Sequence, residues 1–93
     1  MRIAKVIGNI WATRKEQRLC GIKLLILQPI NIISGLKEGV PIVAADMIGA
    51  GNGEIVIYVG GSSARSASGD RYNPVDASVV AIVDDSEIEP SVL

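Results

Sequence analysis

A chain of 93 residues with a net charge of −1 allows one domain, near the lower end of what folds without staples or a partner. The absence of histidine removes Ser-His-Asp and Cys-His catalysis, along with the commonest zinc ligand. The single cysteine, Cys20, can neither close an intramolecular disulfide nor complete a structural zinc site, and reads as a packed or interfacial thiol.

Ile, Val and Leu number 30, whereas Phe is absent and Trp and Tyr total three, so branched aliphatics fill the core and favour strands. Arg2–Thr13 reads as a first strand, with Gly8 marking a bend or bulge, and Arg14–Arg18 as a charged turn. Gly21–Gln28 reads as a second strand, Lys23 and Gln28 bracketing the run Leu24–Leu27. Pro29 and Ser34–Gly39 then break the pattern and form a longer connection. A third strand is expected at about Pro41–Asp46. Gly49, Gly51 and Gly53 make Ile48–Gly53 a tight turn, and Glu54–Val59 is a fourth strand. Gly60–Asn73 is small, polar and loop-like. Pro74-Val75-Asp76 suits the start of one helical turn, Val79–Val83 makes a fifth strand, and Asp84–Leu93 is an acidic tail.

The runs Ile55–Val59 and Val79–Val83 are almost uninterrupted, where an antiparallel strand with one wet face alternates. Both faces are therefore covered, and with no long helix to do the covering, the second face meets another subunit. A small closed or nearly closed barrel that oligomerises is the simplest solution, because closure also removes exposed edges. A single domain over residues 1–93 is expected, with the barrel over about 1–84 and a tail over 85–93. Met1–Ile10 has no signal-peptide pattern and no apolar run reaches a membrane span, so a soluble cytosolic chain without a membrane partner is expected.

The polar residues point away from chemistry. Gly49-Ala50-Gly51-Asn52-Gly53 superficially matches a phosphate cradle, but Glu54 and a strand follow it rather than Lys-Ser/Thr and a helix. Ser62 and Ser63 lack a nearby base. With Arg65 they suit hydrogen bonding across an interface or around a pore, or a solvated loop. Asp46, just before the glycine turn, and Asp76, just after Pro74, stand where aspartate orders turns. No cofactor or metal site is expected. Residues 1–40 carry seven Lys/Arg against two Asp/Glu, and residues 41–93 carry two against eight. That asymmetry fits a nucleic-acid face, complementary edges between subunits, or plain solvated charge. The rival function is a barrel of oligonucleotide-binding type for single-stranded nucleic acid. Such barrels need aromatic platforms, and Trp11, Tyr58 and Tyr72 are the aromatics present, with a pI near 5.2.

The series Ala44-Ala45-Asp46-Met47-Ile48-Gly49-Ala50-Gly51-Asn52-Gly53-Glu54, then Gly61-Ser62-Ser63-Ala64-Arg65, then Pro74-Val75-Asp76-Ala77 leading into Val79–Asp84, is specific in its order and spacing. With Ile3–Gly8 and Gly21–Leu25 it resembles the vertex proteins of bacterial microcompartment shells, of carboxysome and ethanolamine-utilisation type. The resemblance implies a five-stranded barrel of oligonucleotide-binding shape and a homopentamer that caps a shell built of hexameric tiles. It also implies a structural role in a cytoplasmic compartment, with no enzymatic activity and no nucleic-acid partner.

Overall fold

The computed structural model describes residues 1–11, 17–19, 21–61, 67, 76–86 and 89–92. Five strands, β1 (Arg2–Ile10), β2 (Lys23–Pro29), β3 (Ile42–Asp46), β4 (Ile55–Gly60) and β5 (Ala77–Val83), close into a barrel in the order β1-β2-β3-β5-β4. Every neighbouring pair is antiparallel except β3 and β5, which run parallel through Ala45 opposite Ser78 and Asp46 opposite Val79.

Period-two alternation decides what enters the barrel. Ala4 and Val6 of β1, Leu25 and Leu27 of β2, Ala44 of β3, Val56 and Tyr58 of β4, and Ala77 and Val79 of β5 form one buried cluster. A five-stranded barrel is narrow, so each wall that presents a leucine must face walls presenting little. Ala4, Ala44 and Ala77 supply that room, and Leu25, Leu27, Val6, Val56 and Val79 fill it. Each fully buried Leu or Val contributes about 1.5–3 kcal/mol relative to exposure.

The strand limits shift from those expected, each for a local reason. β2 starts at Lys23 because Gly21 adopts φ +82° and the Ile22 amide donates to the Leu19 carbonyl (3.0 Å), closing a turn. It then runs through Pro29, opposite Ala4. β5 begins at Ala77, because Ala77 and Ser78 already pair with Gly60 and Val59. β1 ends at Ile10, and the expected charged turn becomes a 3-10 turn at Gln17–Leu19 where it is described. A second 3-10 turn, Pro90–Val92, lies in the tail. In β1 the register against β2 shifts between Val6 and Gly8, a bulge at the expected glycine. Of the expected helical turn, Pro74 and Val75 lie outside the described residues, and Asp76 is a bend.

The two near-continuous apolar runs differ in cover: β5 buries Ala77, Ser78 and Val79 in succession and leaves Val80–Val83 partly covered, whereas β4 alternates. In β4, Val56 and Tyr58 are buried inside while Ile55, Ile57 and Val59 face outward and are only partly covered. On the outer wall of β3, Ala45 is buried beneath Leu19, Ile22 and Val59. One chain therefore covers part of its outer surface and leaves the rest half exposed.

Candidate functional site

The glycine turn between β3 and β4 closes one end of the barrel, and two carboxylates shape it. Asp46, the last residue of β3, has a side chain only 1% exposed, and Oδ1 accepts the amides of Ile48 and Gly49, each at 3.1 Å. Lys23, its partner across the β2–β3 ladder, brings Nζ to 3.9 Å from Oδ2 and donates to the Ala50 carbonyl at 3.3 Å. At the other end of the turn, Glu54 Oε1 accepts the Gly51 amide at 2.6 Å, and the Glu54 amide donates to the Gly51 carbonyl at 3.1 Å. Between them Ala50 is fully buried and plugs the core. The Gly53 amide donates to Val6 (2.8 Å) and the Val6 amide to Glu54 (2.9 Å), which sews the turn onto β1.

The three glycines serve two purposes. Gly49 and Gly53 adopt φ +83° and +88°, a left-handed conformation that costs an L-residue about 1–2 kcal/mol. Gly51 has no such angle. There an added Cβ would stand 3.3 Å from the Glu54 oxygen that the Gly51 amide needs. Both carboxylates are thus spent on backbone amides, an arrangement that holds shape rather than moving protons.

Of the other singled-out residues, Asp76 is exposed, and its carbonyl accepts the Gly61 amide at 2.9 Å. Ser62, Ser63, Arg65, Pro74 and Cys20 lie outside the described residues. Among the aromatics, Tyr58 is buried in the core and offers no stacking face, Trp11 is exposed at the end of β1, and Tyr72 lies outside the described residues. A base-stacking platform needs neighbouring exposed rings.

Two features carried no motif. Gln28, buried beside the β2 terminus, donates through Nε2 to the carbonyls of Pro29 (2.9 Å) and Gly39 (3.0 Å). It thereby fastens the base of the connection that leads to β3. Within that connection Asn31 Oδ1 accepts the amides of Ile33 (2.9 Å) and Ser34 (3.0 Å), and its backbone bonds to Leu36 and Gly35 at 2.8 Å each. Ile30 bridges Lys37, and the Glu38 amide donates to Pro29 at 2.9 Å. The sequence signal was the aliphatics Ile32, Ile33, Leu36 and Val40 set among Gly and Ser, a composition that marks a turn and hides an ordered one.

Comparison with known proteins places this architecture. The family described as "Ethanolamine utilisation protein EutN/carboxysome" matches residues 1–84. The chain is 42% identical over 89 residues to the carboxysome shell vertex protein CcmL of Nostoc sp., covering 96% of this chain and 88% of that protein. It is 45% identical over 85 residues to the bacterial microcompartment shell vertex protein EutN of Salmonella typhimurium, covering 91% and 85%. Among solved structures, the GrpN pentameric microcompartment shell protein from Rhodospirillum rubrum superposes with a TM-score of 0.85 at 42% identity, covering 96% of this chain and 100% of that one. With a closed five-stranded barrel and a turn whose carboxylates hold backbone, the chain belongs to the EutN/carboxysome family of microcompartment shell vertex proteins, a structural family and not an enzymatic one.

Proposed function

We propose that five copies of this chain close into a ring that occupies the five-fold corners of a microcompartment shell, against hexameric tiles of the same shell. The observation that carries this reading is the outer wall of the barrel. Closure has paired every strand with two neighbours, yet Ile3, Ile55, Ile57 and Val59 remain only partly covered on the outside. A chain with no sheet edge left to extend covers such a wall by packing against another copy, and a head-to-tail contact closes a ring when its rotation fits. The pentameric relative from Rhodospirillum rubrum supports the number five. In this reading residues 1–93 act as one vertex domain, the barrel over about 1–84 carrying the ring and 85–93 forming a tail. Ser62, Ser63 and Arg65 belong to the ring's interface or its axis.

Geometry gives the role. Flat hexagonal tiles extend as sheets or roll into tubes, and a closed polyhedron demands five-fold corners. Native mass spectrometry is expected to show five subunits, and deletion of the gene is expected to give elongated or open compartments with facets still assembled. Normally closed polyhedra in a deletion strain that has no second vertex gene would refute the capping role.

A further inference from the structure

The chain has four asparagines, and the residue after each one governs the chemistry open to its carboxamide. Asn9 and Asn31 precede isoleucines, whose branched side chains crowd the backbone nitrogen that follows. Asn73 precedes Pro74, which has no N–H to give up. Asn52 precedes Gly53, so no side chain on the following residue stands between that nitrogen and the carboxamide. Asn52 and Gly53 are both exposed, and no atom of the described residues lies within 4 Å of where a Gly53 β-carbon would be.

The glycine turn holds this pair in one conformation. The Glu54 amide donates to the Gly51 carbonyl at 3.1 Å, which makes Gly51–Glu54 a tight turn with Asn52 and Gly53 at its centre. Asn52 has negative φ and Gly53 has φ +88°, so the turn is of type II, with ψ of Asn52 at about +120°. The Gly53 amide donates to the Val6 carbonyl at 2.8 Å, and the Gly51 amide donates to Glu54 Oε1 at 2.6 Å. To reach the Asn52 carboxamide carbon, the Gly53 nitrogen has to eclipse the Asn52 β-carbon, which an L-residue achieves at negative ψ. The folded turn therefore aims this nitrogen away from its target and engages its hydrogen with Val6. Negative φ also means that the turn does not itself demand asparagine at position 52.

We propose that Asn52–Gly53 is a self-modification site, chemically ready but locked by the fold, which converts to an aspartyl or isoaspartyl link in chains whose turn has opened. The Gly53 nitrogen bonds to Asn52 Cγ, the bond from Cγ to the carboxamide nitrogen breaks, and that nitrogen leaves as ammonia with the proton of the Gly53 amide. Water, the sole co-reactant, then opens the five-membered imide. Opening at Cγ leaves aspartate at 52. Opening at the main-chain carbonyl leaves an isoaspartyl link, in which the backbone runs through the β-carbon.

The modification acts on the turn that permitted it. An isoaspartyl link adds a carbon to the main chain between Gly51 and Gly53. The bonds from Gly53 to Val6 and from Glu54 to Gly51 then fall out of register. Either product also sets a new carboxylate beside Glu54, whose own carboxylate is engaged with the Gly51 amide. The site thus records the opening of the barrel end, independently of the ring proposed above.

The test is peptide mapping by mass spectrometry of the whole chain, kept at physiological pH and temperature either folded in buffer or unfolded in guanidinium chloride. When reclosing outpaces the chemistry, the folded rate follows the population of the open turn. Protection at Asn52, the unfolded rate over the folded rate, is then expected to be at least ~100-fold. In the unfolded chain, Asn52 is expected to convert at least ~10-fold faster than Asn9 and Asn31. Glu54→Ala, with its folding checked by circular dichroism, frees the Gly51 amide and is expected to lower the protection at least ~10-fold. Protection is a ratio within one chain, so a direct effect of the lost carboxylate on the chemistry cancels. Equal folded and unfolded rates in the wild type overturn the lock. Unchanged protection in a folded Glu54→Ala chain overturns the turn as its gate. An Asn52 that converts no faster than Asn9 and Asn31 in the unfolded chain overturns the site itself.

Discussion

Replacing Asp46 by alanine tests whether the glycine turn is held by one carboxylate. In the native chain Oδ1 accepts two amides at 3.1 Å from within a side chain that is 1% exposed. Alanine leaves the Ile48 and Gly49 amides without that acceptor at the barrel end. Hydrogen bonds to a charged acceptor are worth about 1.5–3 kcal/mol each. Against this, the substitution removes a buried oxygen, Oδ2, that has no hydrogen-bond partner among the described residues, which returns part of the loss. The expected net destabilisation is about 2–3 kcal/mol, a fall of roughly 10–20 °C in Tm for a domain of this size. Lys23→Met makes the contrast. Its ammonium stands 3.9 Å from Oδ2 on a side chain half exposed to solvent, so its loss is expected to cost no more than about 1 kcal/mol. The assay is urea unfolding at one fixed protomer concentration, because the stability of an assembling chain depends on concentration. An Asp46→Ala variant within ~0.5 kcal/mol of wild type would show that Glu54 and the backbone bonds to Val6 hold the turn unaided, and would refute the reasoning.

Gly53→Ala is expected to cost about 1–2 kcal/mol by the same assay, although no atom of the described residues stands within 4 Å of the added methyl, because φ is +88°. Gly8→Ala provides the control: its added carbon meets Ile26 Cδ1 at an ordinary 3.4 Å, without a left-handed angle, and a change as large as that at Gly53 would contradict the conformational account. In the tail, the Ser91 hydroxyl (2.8 Å) and then its amide (3.2 Å) donate to Glu89 and hold its carboxyl below the ordinary carboxylate value. Because these bonds favour the charged form, they help order the tail above that ordinary value and are lost as pH falls through the lowered one. Ser91→Ala is expected to move the Glu89 titration upward in an NMR pH series, and an unchanged titration would show the bonds absent in solution.

The sequence by itself determined the five strands and their order along the chain, and it pointed toward closure. Branched aliphatics in five runs separated by glycine and proline leave little choice but strands. A chain of 93 residues with two near-continuous apolar strands is driven to close and then to cover part of its outside. The series from Ala44–Glu54 through Gly61–Arg65 to Pro74–Asp84 marks the family in the sequence itself. What the tertiary structure decided was which side chains meet. The parallel β3–β5 pairing and the alanines that let the barrel narrow come from non-local contacts that no window of sequence displays. Likewise Lys23 reaches Ala50 and Gln28 reaches Gly39 across separations of 27 and 11 residues, so neither has a local signature. The loop after β2 shows the limit most plainly. Its Gly and Ser residues mark a break in the strand pattern, and local composition can say no more. Only the hydrogen bonds of Asn31 and Gln28 reveal that the break is a fixed frame holding Ile32, Ile33, Leu36 and Val40 outward, because order in a loop is set by partners distant along the chain.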